Sequence, residues 1–250
     1  MSSLFVYFVI YYIEIIYGGI IMRIFIVRHG ESYSNVQGRI MSTTDLPLTE
    51  KGIKQAETAK IYIQKILCSS SFNQVFSSPL LRAKQTAAII CGNEKSINIS
   101  DGLSEMNLGK LEGLTWEERI ALYPEINLEN SLSEAILPEG ETFEDVFLRC
   151  KRFIRNNIKR KSLNENILIV SHGITIRIFI NCLLGKPNHC VNFLNWSDNT
   201  AISEIDWQLH SNSKTLVRLN DRTHLMNPYL GTLSYETWGS FSTYEYSTAR

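Results

Sequence analysis

A surplus of charge is the first thing this sequence lacks: 25 Lys and Arg balance 25 Asp and Glu over 250 residues. No net field is available to hold nucleic acid or an anionic membrane surface, and only a local basic pocket is compatible with the composition. Paired cysteines are missing too. Cys68, Cys91, Cys150, Cys182 and Cys190 are odd in number, scattered and without a CxxC spacing. That argues against a disulfide framework or a zinc site and for reduced thiols in the cytoplasm. Neither a Gly-rich Walker loop nor GxGxxG occurs, which excludes the common nucleotide-binding loops. Internal repeats, low-complexity tracts and long linkers are absent, and this length suits one domain with a sizeable core.

The N-terminus is the one long apolar run, "LFVYFVIYYIEIIYGGII". No Lys or Arg precedes it and no small-residue cleavage site follows, so it does not read as a secretory signal. Glu14, Gly18 and Gly19 interrupt it, which weakens a membrane span. Three readings stand for residues 1–21: an anchor, an extra packed segment, or a start codon placed too early. The last is favoured, because a chain beginning at Met22 starts at once on a strand. Membrane association is thus not expected, with residues 4–21 the segment that keeps it open. The Tyr-, Ser- and Gly-rich residues 227–250 show no period and read as an appendage to a domain spanning 22–226.

Between these ends, strand-like and helix-like segments alternate. "RIFIVR" and "NILIVS" are continuous apolar runs rich in β-branched residues, as in strands buried on both faces. "LTEKGIKQAETAKIYIQKIL" places Ile53, Ala56, Ala59, Ile63 and Ile66/Leu67 on one helical face, with Thr49 as N-cap. "QVFSS" and "SINIS" read as strands, and "LLRAKQTAAIIC" as a helix ending near Gly92. "TWEERIALY" is a helix stopped by Pro124. "TFEDVFLRCKRFIRNNI" is another, with Thr142 and Asp145 at capping-box spacing, and "GITIRIFINCLL" a third. "TAISEIDWQ" and "TLVRLN" are late strands. The expected fold is α/β: a single domain, its sheet mostly parallel with helices on both faces.

His29 and His172 each stand just past the carboxyl end of a buried strand, and each is followed by Gly. In open α/β sheets, ligands bind in the crevice beyond those strand ends. If the two strands are neighbours, both imidazoles enter one crevice, and Gly30 and Gly173 let the backbone come close to a ligand. Arg28 precedes the first His, and Arg82 opens a helix just beyond another strand. Arginine forks match phosphate or carboxylate oxygens, so this set describes an anion pocket, most naturally for a phosphoryl group. Taken alone, a His at a strand end is more often structural, and Arg82 could be an ordinary solvated residue.

"RHGE" (28–31), Asn35, "LTEKG" (48–52), "SSPLLRAKQTA" (77–87), "LSEMNLGKLEG" (103–113) and "SHG" (171–173) occur in this order. Together they resemble the histidine phosphatase superfamily, also called phosphoglycerate mutase-like, over about residues 22–225. The resemblance implies that the small phosphorylated substrate is attacked by His29, giving a phosphohistidine. It also implies that Arg28, Arg82 and His172 hold the transferring oxygens, and that Asn35 and the Gly173 amide add donors. Glu105 would protonate the leaving oxygen and then take a proton from water, its pKa raised beside apolar Leu103 and Met106. Glu112 and Asp101 are alternative acids, and Glu31 reads as structural. His189, His210 and His224 read as surface or packing residues. No metal or other cofactor is implied, and the oligomeric state is open.

Mutases of this family carry extra basic residues between the acid and the second His. Here the 111–141 segment has one Arg and no Lys, which favours phosphomonoester hydrolysis and the small broad-specificity phosphatase or α-ribazole phosphatase branch. Mutase-type transfer and a catalytically weak binding member are the alternatives. "RIMS" (39–42), with Met41 and Ser42, and Leu111 depart from the usual pattern near the substrate end.

Overall fold

The structure is a computed structural model that describes residues 21–68, 70–92, 95–128, 131–158, 165–208 and 211–226. The extension expected over residues 1–21 (apart from Ile21), the tail at 227–250 and His210 lie outside these. Among the described residues no helix is long and apolar enough to cross a membrane.

The strands are β1 (Ile21–Arg28), β2 (Gln74–Ser77), β3 (Asn98–Ile99), β4 (Glu165–Ser171), β5 (Ile202–Gln208) and β6 (Ser213–Asp221). They form one six-stranded sheet in the order β3-β2-β4-β1-β5-β6. The first four of that order run parallel, and β5 and β6 are antiparallel at one edge. "SINIS" forms a strand over only two residues, both exposed, at the edge of the sheet with β2 as its one neighbour among the described residues.

Alternation along the central strands explains their unbroken apolar sequence. Met22, Ile24 and Ile26 of β1 and Ile167 and Ile169 of β4 enter one core, while Phe25, Val27, Leu168 and Val170 enter the other. Helices α2 (Glu50–Leu67) and α3 (Leu81–Cys91) cover the second core. The first core is covered by α4 (Trp116–Leu122), α5 (Phe143–Asn157) and α6 (Gly173–Leu183). The one-turn α1 (Tyr33–Val36) follows β1.

The expected caps form. Thr49 Oγ1 accepts from the Gly52 amide at 3.0 Å, and Thr142 and Asp145 exchange side chain–backbone bonds at 2.9 and 3.2 Å. Each such cap is worth about 1 kcal/mol. Ala56, Ala59, Ile63 and Leu67 of α2 are buried as expected, whereas Ile53 is 39% exposed and Gly52 and Gln55 are buried in its place. The cause is Gly52, whose missing side chain lets α2 lie directly on the loop after β1. A Cβ on Gly52 would collide with the Glu31 carbonyl, and one on Gly30 would stand 2.5 Å from the Gly52 oxygen. Gly30 therefore admits the close approach of this helix.

Candidate active site

β1 and β4 are hydrogen-bonded neighbours, and Arg28 is in register with Ser171. The residues that follow them, His29 and His172, therefore emerge side by side, with ring centroids 5.0 Å apart and planes at 56°. The His29 amide donates to the Ser171 carbonyl at 3.0 Å, which extends the ladder by one step and locks the pair.

His29 is 3% exposed, and its Nδ1 lies 2.8 Å from the Gly30 carbonyl oxygen. A carbonyl can only accept, so Nδ1 carries the proton and Nε2 the lone pair. The Arg82 Nε–H donates toward that Nε2 at 3.3 Å. Burial, then Arg82 and Arg28, pushes the His29 pKa well below 6.5. His172 is pushed the same way by burial, Arg82, His29 and Arg28. Both rings are neutral at ordinary pH. The Nε2 of His172 bonds the Ser78 hydroxyl at 2.7 Å, and its Nδ1 is buried without a partner among the described residues.

Arg82 sits in the first turn of α3. Its Nη1 and Nη2 donate to the carbonyls of Thr44 at 2.8 Å and Ser42 at 2.7 Å. Arg28 donates through Nη1 to the Ser197 carbonyl at 2.6 Å. Its Nε is buried without a partner among the described residues, and a Cβ on Gly173 would press closest on the Trp196 ring, at 3.3 Å. Burial lowers Arg28 to about 10, against the opposing pull of Glu105 and Asp198. Two guanidiniums and two neutral imidazoles converge, and among the described residues Arg28 Nε and His172 Nδ1 are two of the buried polar atoms without partners. The Arg28 Nε–H can only donate, and an anion supplies what it needs.

Glu105 stands against the start of α6. Leu103 and Met106 are buried beside it, yet the carboxylate faces donors rather than an apolar wall. Oε1 accepts from Met106 N at 2.9 Å and from Thr175 N at 3.1 Å, and it lies 3.1 Å from Thr175 Oγ1, whose proton goes to the Ser104 carbonyl at 2.6 Å. Oε2 accepts from Ile174 N at 3.3 Å. Glu105 thus caps the amino end of α6, beside His172 and Gly173. Of the alternative acids, Asp101 is exposed. Glu112 binds Ser42, Thr43 and Thr44 through five bonds of 2.6 to 3.2 Å. Burial raises its pKa, but those bonds outweigh it and hold it at about 2. Glu112 ties down the loop whose carbonyls grip Arg82, and Ser42, which departs from the family pattern, is part of that tie. Glu31 accepts from Thr49 Oγ1 at 2.8 Å and pairs with Lys51 at 3.4 Å, a structural role. His189 is exposed, and His224 stacks on Tyr62.

With this geometry in place, comparison with known proteins decides the family. A family profile described as "Histidine phosphatase superfamily (branch 1)" matches residues 24–222. The chain belongs to that superfamily. It is 32% identical over 224 residues to "Probable phosphoglycerate mutase GpmB" of Photorhabdus laumondii, covering 85% of this chain and 99% of that one. Among solved structures it is similar to the α-ribazole phosphatase of Shigella flexneri, at 31% identity and a TM-score of 0.68 over 80% of this chain and 97% of that one. It is also similar to a phosphoserine phosphatase of Entamoeba histolytica in complex with 3-phosphoglyceric acid, at 28% identity and a TM-score of 0.67 over 82% and 99%. The fold is the phosphoglycerate mutase-like α/β fold of these relatives.

Sequence reasoning alone missed Ser78, Thr86, Asn199 and Thr200. The Thr86 hydroxyl accepts from the Gly30 amide at 3.0 Å, and Asn199 donates to the His29 carbonyl at 3.0 Å. Ser78 and Thr86 lie inside the quoted "SSPLLRAKQTA", where a polar residue facing the crevice was a legible signal. Asn199 and Thr200 precede a late strand, and nothing local marks them.

Proposed function

We propose that the protein is a metal-independent phosphomonoester hydrolase, acting on small phosphorylated metabolites through a phosphohistidine at His29. The observation that carries this reading is the tautomer of His29: Nδ1 is bound to the Gly30 carbonyl, which leaves the Nε2 lone pair among arginines. Nε2 attacks phosphorus as the bond to the leaving oxygen breaks. Arg28, Arg82, His172, Asn35 and the Gly173 amide take the equatorial oxygens, where charge is spread in a loose transition state. Glu105 delivers a proton to the leaving oxygen. Its Oε1 accepts from two amides and Oε2 from only one, so Oε2 is the oxygen with room to carry that proton. Water then attacks the phosphohistidine, Glu105 takes its proton, and inorganic phosphate leaves with His29 restored.

The name of the Photorhabdus relative raises mutase transfer as a second reading. Against it, the one Arg of the 111–141 segment is already employed. The Arg119 guanidinium lies 4.1 Å over the Trp116 ring and donates to the Ile126 carbonyl at 2.8 Å. The test is a panel of phosphomonoesters, p-nitrophenyl phosphate included, assayed in EDTA, alongside phosphoglycerate with a bisphosphoglycerate primer. Hydrolysis that persists in chelator with negligible mutase turnover is expected. Loss in chelator reversed by a divalent ion overturns the metal-free mechanism. Mutase turnover matching hydrolysis overturns the hydrolase, and no turnover on any ester leaves a binding member of the family.

A further inference from the structure

Thr200 is a β-branched residue at φ +60°, in the left-handed region where such side chains are genuine outliers. It is fully buried, and the residues on either side, Asn199 and Ala201, are nearly so. The turn delivers several groups to the loop that carries His29. The Thr200 amide donates to the carbonyls of Arg28 at 3.1 Å and His29 at 3.3 Å. The Asn199 Nδ2 donates to the His29 carbonyl at 3.0 Å and to Asn35 Oδ1 at 3.3 Å.

The polarity of this chain of bonds can be worked out from groups that have no choice. The His29 carbonyl only accepts, so the Asn199 amide must turn its NH2 that way. Asn35 Oδ1 then accepts the other Asn199 proton, and it also accepts from the Ser32 amide at 3.0 Å, which can only donate. With its oxygen so committed, Asn35 has only its NH2 left to offer a ligand. A phosphate oxygen needs a donor there, whereas the flipped amide would present an oxygen and repel it.

We propose that Asn199 is a positioning residue: held by the strained Thr200 turn, it fixes the side-chain orientation of Asn35 relative to the His29 backbone, so that Asn35 presents donors to the phosphoryl group. This deepens the hydrolase reading above and rests on it. Asn199→Asp is nearly isosteric but replaces the two donors with acceptors, so the Asn35 oxygen loses one partner and faces a negative charge.

The experiment measures inhibition by inorganic phosphate and kcat/KM on p-nitrophenyl phosphate for Asn199→Asp, Asn199→Ala, Asn35→Ala and the two double variants. A hydrogen bond to a charged group is worth about 10- to 100-fold in affinity. Asn199→Asp is expected to weaken phosphate binding by at least as much as Asn35→Ala does, and Asn199→Ala, which merely frees the amide, by less. In the Asn35→Ala background both Asn199 changes are expected to lose most of their effect, since the group they act through is gone. Full additivity, or an Asn199→Asp protein that binds phosphate like the wild type, overturns the proposal. Should Asn199→Asp fail to fold, the Asn199→Ala cycle decides by the same non-additivity. Failure of the hydrolase reading shows separately, as a wild-type protein without His29-dependent turnover.

Discussion

Glu112→Gln isolates a carboxylate that holds the site without touching the chemistry. The five bonds from Ser42, Thr43 and Thr44 favour its ionised form and place it at about 2, against 4.5 for a free carboxyl. At about 1.4 kcal/mol per pKa unit that is about 3 kcal/mol of preference for the folded chain. The side chain is only partly buried, so solvent screening reduces the felt amount to about 1–2 kcal/mol. Because the folded pKa is the depressed one, this stability is complete above about pH 4.5. It is lost as pH falls toward 2, so the variant's deficit shrinks in the same window. Urea unfolding of both proteins at pH 7 and pH 3 measures it, and the difference cancels what the buried histidines contribute to both. At pH 7 a midpoint lower by about 2–8 °C on heating corresponds to the same loss. Since the tie also steadies the Ser42 and Thr44 carbonyls on Arg82, KM should rise a few-fold with the leaving-group dependence unchanged. An equal deficit at both pH values, or none at pH 7, refutes the reasoning.

Glu105→Gln separates the proposed acid from that tie: general acid catalysis is worth about 10²- to 10⁴-fold, so loss on alkyl phosphates should reach that range and be smaller on p-nitrophenyl phosphate. Equal, mild slowing of both substrates, with the leaving-group dependence appearing in Glu112→Gln, would reassign the acid. His29 and His172 are held well below 6.5 by burial and the arginines, so the proposed nucleophile stays neutral as pH falls. After correction for the substrate's own titration, kcat/KM should show no acid limb centred near 6.5, and such a limb in the pH–rate profile would contradict a neutral, buried His29.

The fold was legible where residues make local or repetitive demands. The apolar runs of β1 and β4, the cap at Thr49 and the box at Thr142 and Asp145 stand where the sequence placed them, because each depends on residues within a turn or a two-residue period. Ile53 was misjudged because burial on α2 is set by the contact of Gly52 with Glu31, a meeting of distant segments that no helical period encodes. The core of the site, His29 with His172, Arg28 and Arg82, was legible through motif order, and the structure brings all four together. The setting of Glu105 was not: its donors come from the start of α6, about 70 residues away in sequence, while its apolar sequence neighbours suggested a dry pocket. Asn199 and Thr200 escaped notice for the same reason, since their partners lie in the loop after β1.

The central claim is a covalent bond between phosphorus and His29 Nε2. Its most direct test is rapid acid-free quenching of the enzyme with a ³²P-labelled phosphomonoester, followed by peptide mapping of the label. Label that is acid-labile, alkali-stable, confined to the peptide carrying His29 and absent from His29→Ala is the expected result. Label on any other residue, or full turnover by His29→Ala, would contradict the account.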